Sequence, residues 1–345
     1  MSLAALDNID DALDATRSLL WPFDLGRWAR LALIVFFIGG SGGGGANFAQ
    51  FGGNTGTGPS GTPGAPGDPG QLPSLSEIVS SISPTEWAII AAIGLTILVL
   101  VLTLGFVGSV MEFVFVESLS RERVSIREYW SDHWRRGARL FGFRLVIGAL
   151  TLAAFLGLFW VGFGAAIFGE ATFSLGTIGL AVLGMVFVGF VVSLVDGFTT
   201  QFVVPVMMSE SRGVLGAWRR FWPTLTGEWK EYVVYVLIQF VLTLVAGIAV
   251  GLLVFVAALV IAIPLVILGV IGGVLLAAIP VAGWVVIAAA AVLFGLGMLV
   301  ISLFAAVPVQ TYLRYYALLV LGDTNEAFDL VAERRRAIRG GSPAE

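Results

Sequence analysis

The sequence predicts an all-α polytopic transmembrane helical bundle of about six spans in three hairpins, with amphipathic interfacial helices on the cytoplasmic side. Three observations predict it. Of the 345 residues, 58% are hydrophobic and only 12% are charged, where soluble domains carry roughly a quarter charged. Several apolar runs exceed the roughly 18 residues that mark a membrane-crossing helix, and they are continuous rather than alternating as barrel strands are. All 19 cations fall in four segments, so that three of the connections between apolar runs hold none.

The chain opens with an amphipathic helix within residues 1–25. Leu3, Leu6, Ile9, Leu13 and Leu20 share one side, and Asp7, Asp10, Asp11 and Asp14 the other. That acidic face suits a protein partner or the basic loops, and the same pattern suits a helix packed on its own bundle. A transmembrane domain over residues 26–322 follows, with spans near 26–45, 86–117, 140–168, 177–208, 231–263 and 284–313. The first is the shortest, because LALIVFFIGG must borrow flanks on which Arg27 and Arg30 snorkel to the headgroups. A signal peptide does not fit there, since the preceding segment carries Asp7, Asp10, Asp11, Asp14 and Asp24.

Between residues 39 and 76 runs a Gly/Pro/Ser/Thr tract with a single charge, Asp68, which reads as a disordered extracellular loop. It lacks the GxxxxGK[ST] pattern of a phosphate loop. Further on, Pro264 and Pro280 bracket an apolar stretch whose interior is short for a span. A re-entrant or surface-lying element is the expectation for 264–280, with a spanning helix as the alternative. An Arg-rich cytoplasmic tail, 323–345, closes the chain. By the positive-inside rule both termini and the two Arg-rich loops face the cytoplasm of a cell-membrane protein.

Two of those cytoplasmic loops carry helical stripes. Val214, Leu215, Trp218, Phe221 and Trp222 fall on one face, Arg219 and Arg220 point away, and Pro223 is expected to stop the helix. Ile126, Tyr129, Trp130, His133 and Trp134 repeat the arrangement, with Arg135 and Arg136 on the wet side. Trp130, Trp134, Arg135, Arg136, Trp218, Arg219, Arg220 and Trp222 are therefore candidate contacts to membrane lipids or to a protein partner at the cytoplasmic face. His133 reads as a solvated or stacked interfacial side chain.

Polar groups inside apolar spans are functional hypotheses by default. Glu112 and Arg144 lie at similar depth and could pair between spans two and three. Asp196, fourteen residues before Glu210, is placed near mid-membrane, with Gln201 on the same span and Gln239 on the next. These five are the candidate intramembrane polar residues.

Other function classes fall away. No cysteine and one histidine exclude disulfides, thiolate chemistry and a histidine-rich metal site. No GxSxG, HExxH or paired-carboxylate pattern occurs, so no catalytic, cofactor-binding or metal residues are assigned, and an enzyme is not expected. A net charge of −4 argues against nucleic acid as a partner.

The exits VFVESLSRERVSIREYW, VVPVMMSESRGVLGAWRRFW and VPVQTYLRYYALLVLGD share Val-Pro-Val or Glu-Ser followed by arginines, as three repeated hairpins would. The N-terminal stretch LDATRSLLWPFDLGRWARLALIVFFIGGSGGGG resembles a group of haloarchaeal multi-pass membrane proteins of unknown function. The acidic, lysine-poor balance is similar to that of salt-adapted archaeal proteins. The later exits are more distantly similar to the membrane domain that accompanies some glycerophosphoryl diester phosphodiesterases. That likeness implies lipid-proximal work, but the catalytic barrel and its metal ligands are absent from this sequence. The expectation is a non-catalytic lipid-facing or partner-organising membrane domain. Its alternative is a small-molecule or ion transporter using the polar residues near mid-membrane.

Overall fold

The computed structural model describes residues 4–41, 83–164 and 175–340, and every regular element among them is helical. In chain order these are α1 (Ala4–Leu20), α2 (Leu25–Ser41), α3 (Pro84–Ser120), α4 (Ile126–Gly164), α5 (Leu175–Glu210), α6 (Val214–Gly227), α7 (Trp229–Ala278), α8 (Pro280–Thr324) and α9 (Ala332–Gly340). The end of α4, Trp160–Gly164, and one turn within α5, Thr199–Val203, are wound as π-helix. The Gly/Pro-rich tract after residue 41 lies outside the described residues, as does the end of the expected third span.

Local chemistry explains where the elements begin. At the start of α3, the Ser83 hydroxyl accepts the Glu86 N–H at 3.3 Å and the Glu86 carboxylate accepts the Ser83 N–H at 2.7 Å, a reciprocal cap. Pro84 sits in the first turn, where no N–H is needed. α5 ends at Ser211, whose φ of 54° turns the chain out of the helix.

Five helices, α3, α4, α5, α7 and α8, are long and apolar enough to cross a membrane. The expected first span is the exception, since α2 has 17 described residues. Residues 42–45 of that expected span lie outside the described residues, and within α2 Leu31, Ile34, Val35 and Ile38 are buried against the bundle.

Two proline expectations are overturned. α7 runs as one helix of 50 residues straight through Pro264, so 264–278 is neither a re-entrant nor a surface-lying element. A proline forgoes one hydrogen bond, and with apolar helix formers on both sides the rest of the ladder carries the helix through. The break comes at Ile279, after which Pro280 starts α8 and the chain doubles back. Gly272 and Gly283 allow that hairpin to close: a Cβ on Gly283 would meet the Leu276 nitrogen at 2.6 Å, and one on Gly272 would meet Ile287 at 2.7 Å. Pro223 likewise lies inside α6, which continues to Gly227.

The helices converge at one end, and away from it α7 stays packed on α8 and α4 on α5 as pairs. The C-terminal part of α3, the start of α4, the end of α5, α6, the start of α7 and the end of α8 pack around α1 and α2. Phe113, Phe115, Phe202, Phe221, Tyr232, Tyr315 and Tyr316 are fully buried there, each worth about 1.5–3 kcal/mol of burial. All 19 cations also belong to this end. Away from it, α3 is bare on all sides from Trp87 to Leu104, about 26 Å at 1.5 Å per residue.

α1 turns inward a face built largely of small residues, which keeps Ile9 and Leu20 of the expected apolar stripe but not Leu6 or Leu13. Ala5, Asn8, Ala12, Ala15, Thr16 and Leu19 are buried, while Leu6 and Leu13 are exposed. Small residues win because they let α1 approach α8 closely, where the Tyr316 hydroxyl donates to the Ala5 carbonyl at 2.8 Å.

Candidate functional site

At the packed end α3, α4, α5 and α8 each contribute one charge to a buried network. Glu112 and Arg314, 1% and 3% exposed, form a direct ion pair between α3 and α8. Arg144 on α4 reaches Glu112 at 3.5 Å and Asp196 on α5 at 3.1 Å, and it donates to the Thr200 hydroxyl at 2.7 Å. Such charges are held only because each is met by its opposite, since a lone buried ion costs several kcal/mol.

The π turn of α5 completes the network. There the Val204 N–H bonds the Thr199 carbonyl, five residues back. The same pattern would pair the Thr200 carbonyl with residue 205, which is proline and has no N–H. Arg314 fills that vacancy, donating to the Thr200 carbonyl at 2.6 Å. Pro205 and Arg314, more than a hundred positions apart in the chain, thus serve one backbone oxygen.

Beside the network lies a cavity of about 240 Å³ among α2, α3, α5, α7 and α8. Asp196, Gln201, Tyr235, Gln239, Gln310 and Arg314 face it. Three buried polar atoms on this wall have no hydrogen-bond partner among the described residues: Gln201 Oε1, Gln239 Oε1 and the Tyr235 hydroxyl. Tyr235 is only 3% exposed, stacked on Tyr316 at 5.2 Å and edge-on to Phe202 at 4.8 Å, so its hydroxyl is fixed in direction. Leaving a buried polar group unpaired costs about 1–3 kcal/mol, and three on one wall point to something that enters the cavity. On the barer lengths of α5 and α7, Phe190, Val191, Phe240 and Leu244 are exposed.

The five intramembrane polar candidates therefore come together. Glu112, Arg144 and Asp196 share the ion network, and Gln201 and Gln239 face the cavity beside it. Sequence reasoning missed Arg314, Tyr235 and Gln310, whereas Thr200 follows from its place beside Asp196 on the same span. For Arg314 the signal was available: YYALLVL follows it, so the apolar helix continues past the arginine rather than ending there. For the others periodicity carries no signal, because their importance comes from a partner on another helix.

The interfacial candidates divide. Trp222 and Trp134 are exposed at 57% and 46%. Arg219 and Arg220 are exposed too, with Arg220 bonded to Glu210 at 2.8 Å, and Arg135 lies over the Trp134 ring. Trp218 instead turns inward and donates to the Thr199 hydroxyl at 3.1 Å, while Phe221 stacks on Phe202 at 5.5 Å. Trp130 packs edge-on to Phe106. Leu215, expected beside Trp218, is exposed. The inward face of α6 is Val214, Ala217 and Phe221, a narrower stripe than five apolar residues suggest. His133 is not solvated: it is 5% exposed, stacked on Phe113 and 3.6 Å from Glu117. Its Nδ1 lies 3.0 Å from Arg136, which also donates to Ser211 at 3.0 Å.

A second polar cluster ties the two chain ends together. Arg339 on α9 meets Asp11 and Asp323, each at 2.8 Å, and donates to Asn8 at 2.9 Å. Arg335 pairs with Asp323 and Asp329. The Asp323 carboxylate, helped by Asp11, pushes the Arg339 pKa above its ordinary value despite partial burial.

Among the described residues no three His, Asp or Glu side chains gather as a metal site would require. Five helices long and apolar enough to cross a membrane, meeting at a packed end with a polar cavity, point to a multi-pass α-helical membrane protein. Within that class the chain belongs to DUF7544, a family of unknown function whose model matches residues 3–331. No curated protein and no solved structure matches it.

Proposed function

We propose that this membrane protein admits a small polar molecule to the cavity among α2, α3, α5, α7 and α8, as a transporter does, and makes or breaks no bonds itself. The observation that carries this reading is the set of unpartnered polar atoms on the cavity wall, Gln201 Oε1, Gln239 Oε1 and the Tyr235 hydroxyl. The π turn beside them adds support, because such turns concentrate at functional sites.

The bare apolar length of α3, about 26 Å, is close to the roughly 30 Å hydrocarbon thickness of a bilayer. With the bilayer there, the cavity lies at the inner boundary of the hydrocarbon rather than at its middle. The positive-inside rule puts the Arg-rich packed end in the cytoplasm. A ligand then enters from the cytoplasm or sideways from the inner leaflet.

Thermal unfolding of the protein in nanodiscs, against a panel of small polar solutes, tests the binding step. A solute that raises the midpoint for the parent chain but not for Gln201→Leu or Gln239→Leu is the expected outcome. Stabilisation that survives both changes would contradict it. Flux into reconstituted vesicles separates transport from binding, and Asp196→Asn is expected to lower that flux.

A second reading, a lipid-facing or partner-organising domain, is supported by exposed Trp134, Trp222 and Arg219. Native mass spectrometry with anionic lipids examines it. Retention of lipid that falls when Arg219 and Arg220 are replaced would favour it.

A further inference from the structure

Charge arithmetic at the cavity narrows what it can hold. Its surroundings contain two carboxylates, Glu112 and Asp196, and two guanidiniums, Arg144 and Arg314. Glu112 meets both arginines and Asp196 meets Arg144, so the four charges cancel. The rest of the polar wall is uncharged: the carboxamides of Gln201, Gln239 and Gln310, the Tyr235 phenol, and the hydroxyls of Ser193, Thr200 and Thr243. A ligand carrying net charge would bring an uncompensated ion into a buried place, at a cost of several kcal/mol that no spare opposite charge offsets. A ligand with both donors and acceptors and no net charge meets the wall on its own terms. The unpaired Gln201 and Gln239 oxygens accept from its hydroxyl or amide hydrogens, and the Tyr235 hydroxyl can donate or accept.

From this balance we infer that the cavity takes an uncharged polyhydroxyl group, an inference that rests on the solute-binding reading above. The volume of about 240 Å³ has room for several waters, and so for a small polyol or a single sugar ring. The same group could arrive free in water or as the headgroup of an uncharged glycolipid.

The test measures binding to the full chain in phosphatidylcholine nanodiscs for three solutes of similar size: sorbitol (neutral), gluconate (anionic) and N-methylglucamine (cationic). A further arm replaces part of the lipid with monoglycosyl diacylglycerol and reads retained lipid by native mass spectrometry. Expected are binding of sorbitol or retention of the glycolipid, weakened about tenfold by Gln239→Leu, the loss of roughly one buried hydrogen bond. Which of the two arms responds names the source. Gln239→Glu adds one negative charge to the balanced set and is expected to shift preference at least tenfold toward N-methylglucamine. Tight binding of gluconate or N-methylglucamine by the parent chain, lost in Gln239→Leu, would overturn the neutral-ligand inference while leaving the solute-binding reading standing. No binding in any arm, or binding untouched by both Gln239 variants, would overturn both, and the cavity would then hold water only.

Discussion

The packed end and the bare lengths of the same helices obey different rules. In α3, the run from Trp87 to Leu104 exposes isoleucine, leucine and valine on every side, while Gly108 to Leu119 is almost wholly buried. The bare half is uncharged and almost wholly apolar, the buried half carries Ser109, Glu112, Glu117 and Ser118, and what covers each differs as well. Where lipid provides the cover, side-chain identity is loosely constrained, because one hydrocarbon contact replaces another. Where protein provides it, a carboxylate, a guanidinium or an orphaned carbonyl each needs one particular partner, and sequence freedom disappears. The lesson is that stability and specificity reside in the half of the molecule that looks least like a transmembrane span.

Breaking that contrast should hurt most at the buried ion pair. Arg314→Met is expected to cost about 3–5 kcal/mol, because Glu112 loses its closest partner and the Thr200 carbonyl its donor. The double change Glu112→Met with Arg314→Met should recover much of that loss, since removing both charges leaves neither unpaired. Denaturant unfolding in detergent reads both, and equal losses in the single and double variants would break the comparison. Next comes the hairpin tip, where Gly283→Leu drives a side chain into α7 and is expected to cost about 1–3 kcal/mol. Helicity and unfolding midpoint together report it. Asp196→Asn weakens one arm of the Arg144 contact at a partly accessible position, for about 1–2 kcal/mol. The tie between α1 and α9 is more exposed still, so Arg339→Gln should cost only about 0.5–1 kcal/mol and lose that effect in high salt. At the small end, Leu100→Ala on the bare part of α3 should change stability by less than about 0.5 kcal/mol. A large effect there would mean that a second chain, and not lipid, covers α3.

Much of this organisation was legible in the sequence. Continuous apolar runs announced the long helices, and Glu112, Arg144 and Asp196 stood out because charge inside such runs is rare. What one-dimensional periodicity could not supply was the partner. It saw Pro205 without the carbonyl it orphans, and it took Arg314 for the flank of a span when α8 continues ten residues beyond, to Thr324. Proline was over-read as punctuation at Pro223 and Pro264, where neighbouring helix formers carry the ladder past it. In α1 the leucine stripe misled at Leu6 and Leu13 because close approach to α8 favours alanine over bulk. Trp218 and Phe221 were assigned outward by the same rule, which measures hydrophobicity but not whether lipid or protein will meet it.

The sharpest test of the contrast uses the absence of cysteine from the chain. Single changes Gln239→Cys and Leu100→Cys, each in membrane vesicles with the Arg-rich face accessible, are exposed to a water-soluble maleimide. A polar cavity that admits water and small polar solutes predicts that the thiol at 239 labels readily and that the thiol at 100, held in hydrocarbon, does not. A position 239 as unreactive as position 100 would contradict the account.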